Sequence, residues 1–252
     1  MSLQAFQHAL SELVASPALC LAVRAGGAGF FERFDLSEME KVRLSKMVWQ
    51  PGMSVSCSMY RSNRITPIYT LLNFTCKLLG DGLKSELEHY WSSMELADLQ
   101  FKEEIDRFGS FLRHRIVTAG ITNPYVEEVL DFELALNELQ FIPRRKLLQH
   151  LRDVPPSRER GPFRLSPLIR IVRFRHEPFK LLEALGRERT PPQDLPAGEF
   201  LVVLSANEEQ TDMKLLNTRV GNMLLSIHTA EVSQQCSSEF MELVREGFLV
   251  PQ

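Results

Sequence analysis

The chain has little cysteine, no long apolar run and no recognisable catalytic signature, and each shortage removes a class of function. Its four cysteines, Cys20, Cys57, Cys76 and Cys236, are far apart and form no CxxC pair. That spacing argues against a disulfide framework or a zinc ribbon and predicts buried thiols. No apolar run approaches the roughly 20 residues needed to cross a bilayer. The opening MSLQAFQHALSELV carries no positive n-region and reads as an amphipathic helix, so a cytoplasmic protein is expected, with no membrane partner. The Ala25–Gly29 run AGGAG has no strand before it and no GK[ST] after it, which sets aside a phosphate-binding loop. There is no GxSxG elbow, and no cysteine sits in a nucleophile motif. Glu86 and His89 have the Glu-x-x-His spacing of di-iron bundles, but such a centre needs a second copy and two further glutamates. No glutamate stands three residues before His8, His114, His150, His176 or His228. The expectation is therefore a chain with no catalytic residue and no metal or cofactor of its own.

What is present is an ordinary globular composition, 44% hydrophobic and 24% charged over 252 residues, enough for two modest domains. The net charge of -3 conceals a segregation: Phe141–Arg189 holds 13 Lys and Arg against 5 Asp and Glu, leaving 16 against 27 elsewhere. A basic middle in an acidic remainder points to an anionic partner, such as an acidic peptide or a nucleic acid, or to contact between the two parts of the protein itself.

The first part reads as all-helical. Leu3, Phe6, Leu10, Leu13 and Val14 form a stripe that Ser16-Pro17 stops. Ser37 and Glu40 have capping-box spacing and open a helix that ends by Pro51-Gly52. At Thr66-Pro67 a new helix is predicted, since threonine accepts from free amides and proline suits the first helical position. Its apolar face is Ile68, Leu71, Leu72, Leu78 and Leu79, and Gly80 is placed to end it in a left-handed conformation. Phe101, Ile105, Phe108 and Leu112 mark a longer helix, and Asn123-Pro124 begins another through Tyr125, Val129, Phe132, Leu136 and Leu139. The acids on that last helix, Glu127, Glu128, Asp131, Glu133 and Glu138, read as a solvated face.

Composition shifts at PPSRERG, between Val154 and Gly161, which reads as an exposed connector. Beyond it Leu168–Phe174 (LIRIVRF) and Phe200–Leu204 (FLVVL) are strands, Pro178 opens a helix between them, and Met213–Leu216 pairs back as a hairpin. Two helices and a closing Gly247-Phe248-Leu249-Val250 follow. The predicted fold is α+β: a helical domain over residues 1–153 and a small winged-helix-like domain over residues 162–252.

Two surfaces stand out. Tyr60, Arg61, Asn63 and Arg64 gather polar groups beside an apolar helix face, as a fixed ion-pair network or as a surface that docks a partner. In the basic strand, Arg170, Val172, Arg173, Phe174 and Arg175, with Phe200 and Val202 on its neighbour, offer an edge to an incoming peptide whose acids the arginines neutralise; alternatively the strand is internal and the arginines solubilise it. A winged helix also fits a DNA-binding regulator. Its recognition region Ser233–Glu246, however, carries Arg245 against Glu239, Glu242 and Glu246, which phosphates would repel.

The order and spacing of Tyr60-Arg61-Ser62-Asn63-Arg64, Leu78-Leu79-Gly80-Asp81, Phe108-Gly109-Ser110-Phe111-Leu112, and Pro124-Tyr125 followed by Phe132-Glu133-Leu134-Ala135 resemble those of the MbnC-like partner proteins of multinuclear non-haem iron oxidative enzymes. Where that family has a second asparagine and a branched aliphatic after the arginine, this chain has Ser62-Asn63-Arg64-Ile65. Within the family the chain is most similar to the branch that works with the iron enzyme TglH in thiaglutamate biosynthesis. The resemblance implies a helical domain that docks the iron enzyme as a heterodimer, and a C-terminal domain similar to peptide-recognition elements. It implies a carrier peptide ending in cysteine as the second partner, no nucleic acid, and iron held by the partner enzyme.

Overall fold

Local chemistry sets most of the helix ends. In a computed structural model that describes residues 3–93, 100–118, 120–152, 163–192, 194–207, 210–229 and 238–251, the elements run in chain order. The helical part comprises α1 (Leu3–Ala15), α2 (Pro17–Arg24), α3 (Glu38–Met47), α4 (Pro51–Leu71), α5 (Asn73–Leu79), α6 (Leu83–Ser93), α7 (Phe101–Val117), α8 (Val126–Gln140) and α9 (Arg144–Arg152). The remainder comprises β1 (Phe163–Leu165), β2 (Ile169–His176), α10 (Pro178–Gly186), β3 (Ala197–Ala206), β4 (Thr211–Leu216), α11 (Thr218–Thr229), α12 (Ser238–Arg245) and β5 (Leu249–Pro251). The α+β class expected from the sequence is what the structure has. Ser37 and Glu40 complete their capping box, and Ser16 caps α2 with Pro17 in its first turn. The connector at Val154–Gly161, Cys236 and residues 233–237 lie outside the described residues.

One helix start differs from expectation. Thr66-Pro67 does not open a helix; α4 begins at Pro51 and carries Pro67 in its interior. Proline removes an internal hydrogen bond, here the one to the carbonyl of Asn63, an exposed residue. Neighbouring threonines satisfy other carbonyls of the same turns, with Thr66 Oγ1 donating to Ser62 at 2.7 Å and Thr70 Oγ1 to Thr66 at 2.9 Å. The helix then breaks at Leu72 rather than running on to Gly80, although Gly80 does adopt φ +50° at the end of α5.

The domain line also moves. The chain forms two compact units, Met1–Leu71 with Gly80–His114, and Leu72–Leu79 with Arg115–Gln252. Helices α5 and α8, placed by the sequence reading in the helical domain of residues 1–153, thus belong with the sheet. The physical reason is the partner of the α8 stripe. Val129, Phe132 and Leu139 pack on Val172, Phe174, Val202 and Leu204. Periodicity fixes which side of a helix is apolar, not what covers it.

In the first unit Ala9, Leu13, Cys20, Val23, Leu44, Val48, Met53 and Cys57 form one apolar core. Tyr90, Phe108 and Phe111 form an aromatic group, with Tyr90 edge-on to Phe108 at 5.2 Å between centroids. In the second unit the antiparallel sheet has the order β2-β3-β4 and is covered on both faces. Residues Val172, Phe174, Val202 and Leu204 face α8 and α10, whereas Ile169, Leu201 and Val203 face Leu224 of α11 and Phe240 and Leu243 of α12. Double coverage explains why the central strand is continuously apolar from Leu201 to Leu204. Helix α11 lies close against the sheet at Gly221, where a Cβ would lie 2.3 Å from Leu201 Cδ1. β1, which the sequence reading did not find, pairs antiparallel with β5.

Candidate functional site

Among the described residues strand β2 pairs with β3 on one side only, and the register shows which of its groups point outward. The Ala206 N–H donates to the Leu168 carbonyl at 2.9 Å, so the even-numbered residues of β2 bond to β3 while Ile171 and Arg173 turn their N–H and C=O away from it. At the far end of that outer edge Arg175 N–H donates to Glu128 Oε2 at 2.5 Å, and Glu128 Oε1 meets His176 Nδ1 at 2.9 Å. The buried carboxylate of Glu128 thus takes the place of a neighbouring strand at Arg175 and closes the edge there. Alongside the open stretch lies a cleft of about 470 Å3, lined by Glu138, Leu165, Pro167, Ile169, Ile171 and Leu225.

The side chains proposed to hold a peptide divide into two groups. Val172, Phe174 and Val202 are buried in the core between the sheet and α8, and Phe200 is half-buried beside them. None of these four is presented outward, because even-numbered positions of β2 and β3 face α8 and α10. The arginines do lie at the surface, but carboxylates of the same chain already meet them. Arg170 Nε bonds Glu138 Oε2 at 2.5 Å, Arg173 Nε lies 3.3 Å from Glu199 Oε1, and Arg175 Nη2 lies 2.8 Å from Glu127 Oε2. The charge segregation in the sequence is therefore at least partly an internal match between a basic strand and an acidic helix. Such exposed pairs are each worth about 0–1 kcal/mol, so an incoming acid can compete for them.

Helix α8 is only in part the solvated acidic face expected of it: Glu138 is exposed and Glu127 and Asp131 are half-buried. Glu128 and Glu133 are buried. Glu133 accepts the N–H groups of Phe74 at 2.7 Å and Thr75 at 2.8 Å, and so closes the first turn of α5. Burial pushes its carboxyl up to about 7, against the opposing pull of those hydrogen bonds and of Lys77. Sequence reasoning missed both roles. The available signal was an acid one helical turn from an apolar stripe position, since Glu128 stands four residues before Phe132 and Glu133 four residues after Val129.

The proposed docking residues also separate. Arg64 is buried, 2% exposed, with Nε 2.8 Å from Glu104 Oε1 and its guanidinium 5.0 Å over the Tyr90 ring. Of the two readings of this segment, the fixed ion pair is the one that describes Arg64. Tyr90 shares the environment, and burial pushes its hydroxyl up to about 12. Arg61 is half-buried and lies 4.9 Å over the Trp91 ring; Tyr60 is half-buried and Asn63 exposed. The outer face of α4 further presents Val55, Met59 and Tyr69 to solvent.

Among the described residues no three His, Cys, Asp or Glu side chains are grouped to hold a metal ion. No single helix among them is long and apolar enough to cross a membrane. No protein-family model matches the chain, and no curated protein matches it.

Proposed function

We propose that the chain is a non-catalytic partner subunit of a multinuclear non-haem iron enzyme of the TglH type, with a role like that of TglI in thiaglutamate biosynthesis. The second unit acts as a winged-helix-like peptide-recognition module. A ribosomally made carrier peptide adds as a strand along Ile171 and Arg173, and its C-terminal cysteine is presented to the partner, whose iron removes the cysteine β-carbon oxidatively. The first unit docks the enzyme through Tyr60, Arg61 and Asn63 and the apolar side chains of α4 beside them.

The observation that carries this reading is the outer edge of β2. It turns backbone donors and acceptors outward next to a cleft of about 470 Å3, the combination that strand addition uses for affinity and for side-chain selection. The order of the sequence motifs, which resembles that of the MbnC-like partner proteins, is what supports the family and the iron partner in this reading. Arg173→Pro tests the edge, because proline removes an outward N–H while leaving the ladder to β3 intact. Titration calorimetry with a cysteine-terminated carrier peptide should show at least about tenfold weaker binding for Arg173→Pro, and a change within about threefold for Arg173→Ala, whose lost ion pair is exposed. Circular dichroism checks that both fold. Wild-type affinity in a folded Arg173→Pro chain would remove β2 as the peptide site.

A further inference from the structure

Helices α2 and α4 bring three sulfur side chains around one cavity. Cys20 comes from α2, while Met53 and Cys57 stand one turn apart on α4 and share a face. All three are buried, and they line a cavity of about 250 Å3 that reaches the surface past the exposed Leu21, Ser54 and Ser58. The two thiols are neighbours. Cys20 Sγ donates to the Leu13 carbonyl at 3.0 Å and Cys57 Sγ donates to the same oxygen at 3.7 Å, so the two thiols converge on one acceptor. Arg24 and Arg61 line the same cavity. Arg24 is fixed there by its Nε bond of 2.8 Å to the Val48 carbonyl.

We propose that Cys20, Cys57 and Met53 form a binding site for a soft monovalent cation, Cu(I), held by two thiolates and one thioether. Thiolate and thioether donors select Cu(I) over harder ions. A structural zinc site wants four ligands, and among the described residues no His, Asp or Glu joins the two cysteines. Charge agrees with this choice. Cu(I) displaces one proton from each thiol, so the bound complex carries one negative charge, which the guanidinium groups of Arg24 and Arg61 offset.

The test is an anaerobic titration of the full chain with Cu(I) against a competing chelator. One ion per chain is expected. Cys20→Ser and Cys57→Ser should each lose at least about 100-fold, volume-conserving Met53→Leu about tenfold, and Cys76→Ser nothing. X-ray absorption on the wild-type chain should show a first shell of two or three sulfurs, a readout that does not depend on how the variants fold. Absence of stoichiometric binding, a nitrogen or oxygen shell, or unchanged affinity in the folded Cys20→Ser and Cys57→Ser chains would overturn the proposal.

Discussion

Removing one partner of the Arg64–Glu104 pair should damage the first unit more than removing both. Each side chain is 2% exposed and the Nε–Oε1 separation is 2.8 Å. At an effective dielectric of about 20, two unit charges at that distance attract by about 6 kcal/mol, and much of this is offset by the hydration both ions give up. A single truncation discards the attraction but leaves the other ion dehydrated, which costs about 3–5 kcal/mol. The perturbations are Arg64→Met, Glu104→Leu and the two combined, each read by urea denaturation as a double-mutant cycle. Each single variant should lose about 3–5 kcal/mol, a large share of the total of about 5–15 kcal/mol typical of a domain. The double variant should lose less than either single one, because no uncompensated ion remains. A loss below about 1 kcal/mol for Arg64→Met would show the pair behaving as an exposed one. The arginine would then be available to dock a partner, and its structural assignment would fail.

Two further outcomes follow from buried positions in the second unit. Burial holds Glu133 near 7 against an ordinary 4.5, so between those values the folded chain keeps a proton that the unfolded chain has released. Stability from this group therefore falls as pH rises from about 4.5 to about 7, by roughly 3 kcal/mol, and is flat above. Glu133→Gln should flatten that limb in denaturation curves taken across the range, and an unchanged slope would refute the shift. Gly221→Ala drives a methyl to 2.3 Å from Leu201 Cδ1, so the variant should lose about 1–3 kcal/mol by thermal melting, whereas a stability gain would mean that α11 moves freely off the sheet.

Much of the second unit was legible in the sequence because its signals are local. FLVVL is too apolar for a one-sided strand, Pro178 marks the start of α10, and the polar turn from Asn207 to Gln210 leads into a hairpin whose register pairs Ala206 with Thr211. What escaped was set by tertiary contact. Pro67 lies inside α4, where the carbonyl its missing N–H leaves without a helical donor belongs to the exposed Asn63 and can turn to water, so its usual boundary signal does not hold. β1 is three residues long and pairs with β5, more than eighty residues away in sequence, so no local pattern marks it. The arginines of β2 were recognised as a group, but the partners of Arg170 and Arg175 on α8 and of Arg173 on β3 were not, because helical spacing alone assigned the α8 acids to solvent. At Tyr60–Arg64 the gathering of polar residues was visible, yet only the position of Glu104 decides that Arg64 turns inward while Asn63 stays outside.

The most direct test of the proposed role is to co-express the chain with a TglH-type iron enzyme and a carrier peptide ending in cysteine, and to read the peptide's intact mass with and without this chain. The account predicts that the enzyme co-purifies with the chain and that the peptide loses one carbon unit only when the chain is present. No complex together with an unchanged peptide mass would contradict it.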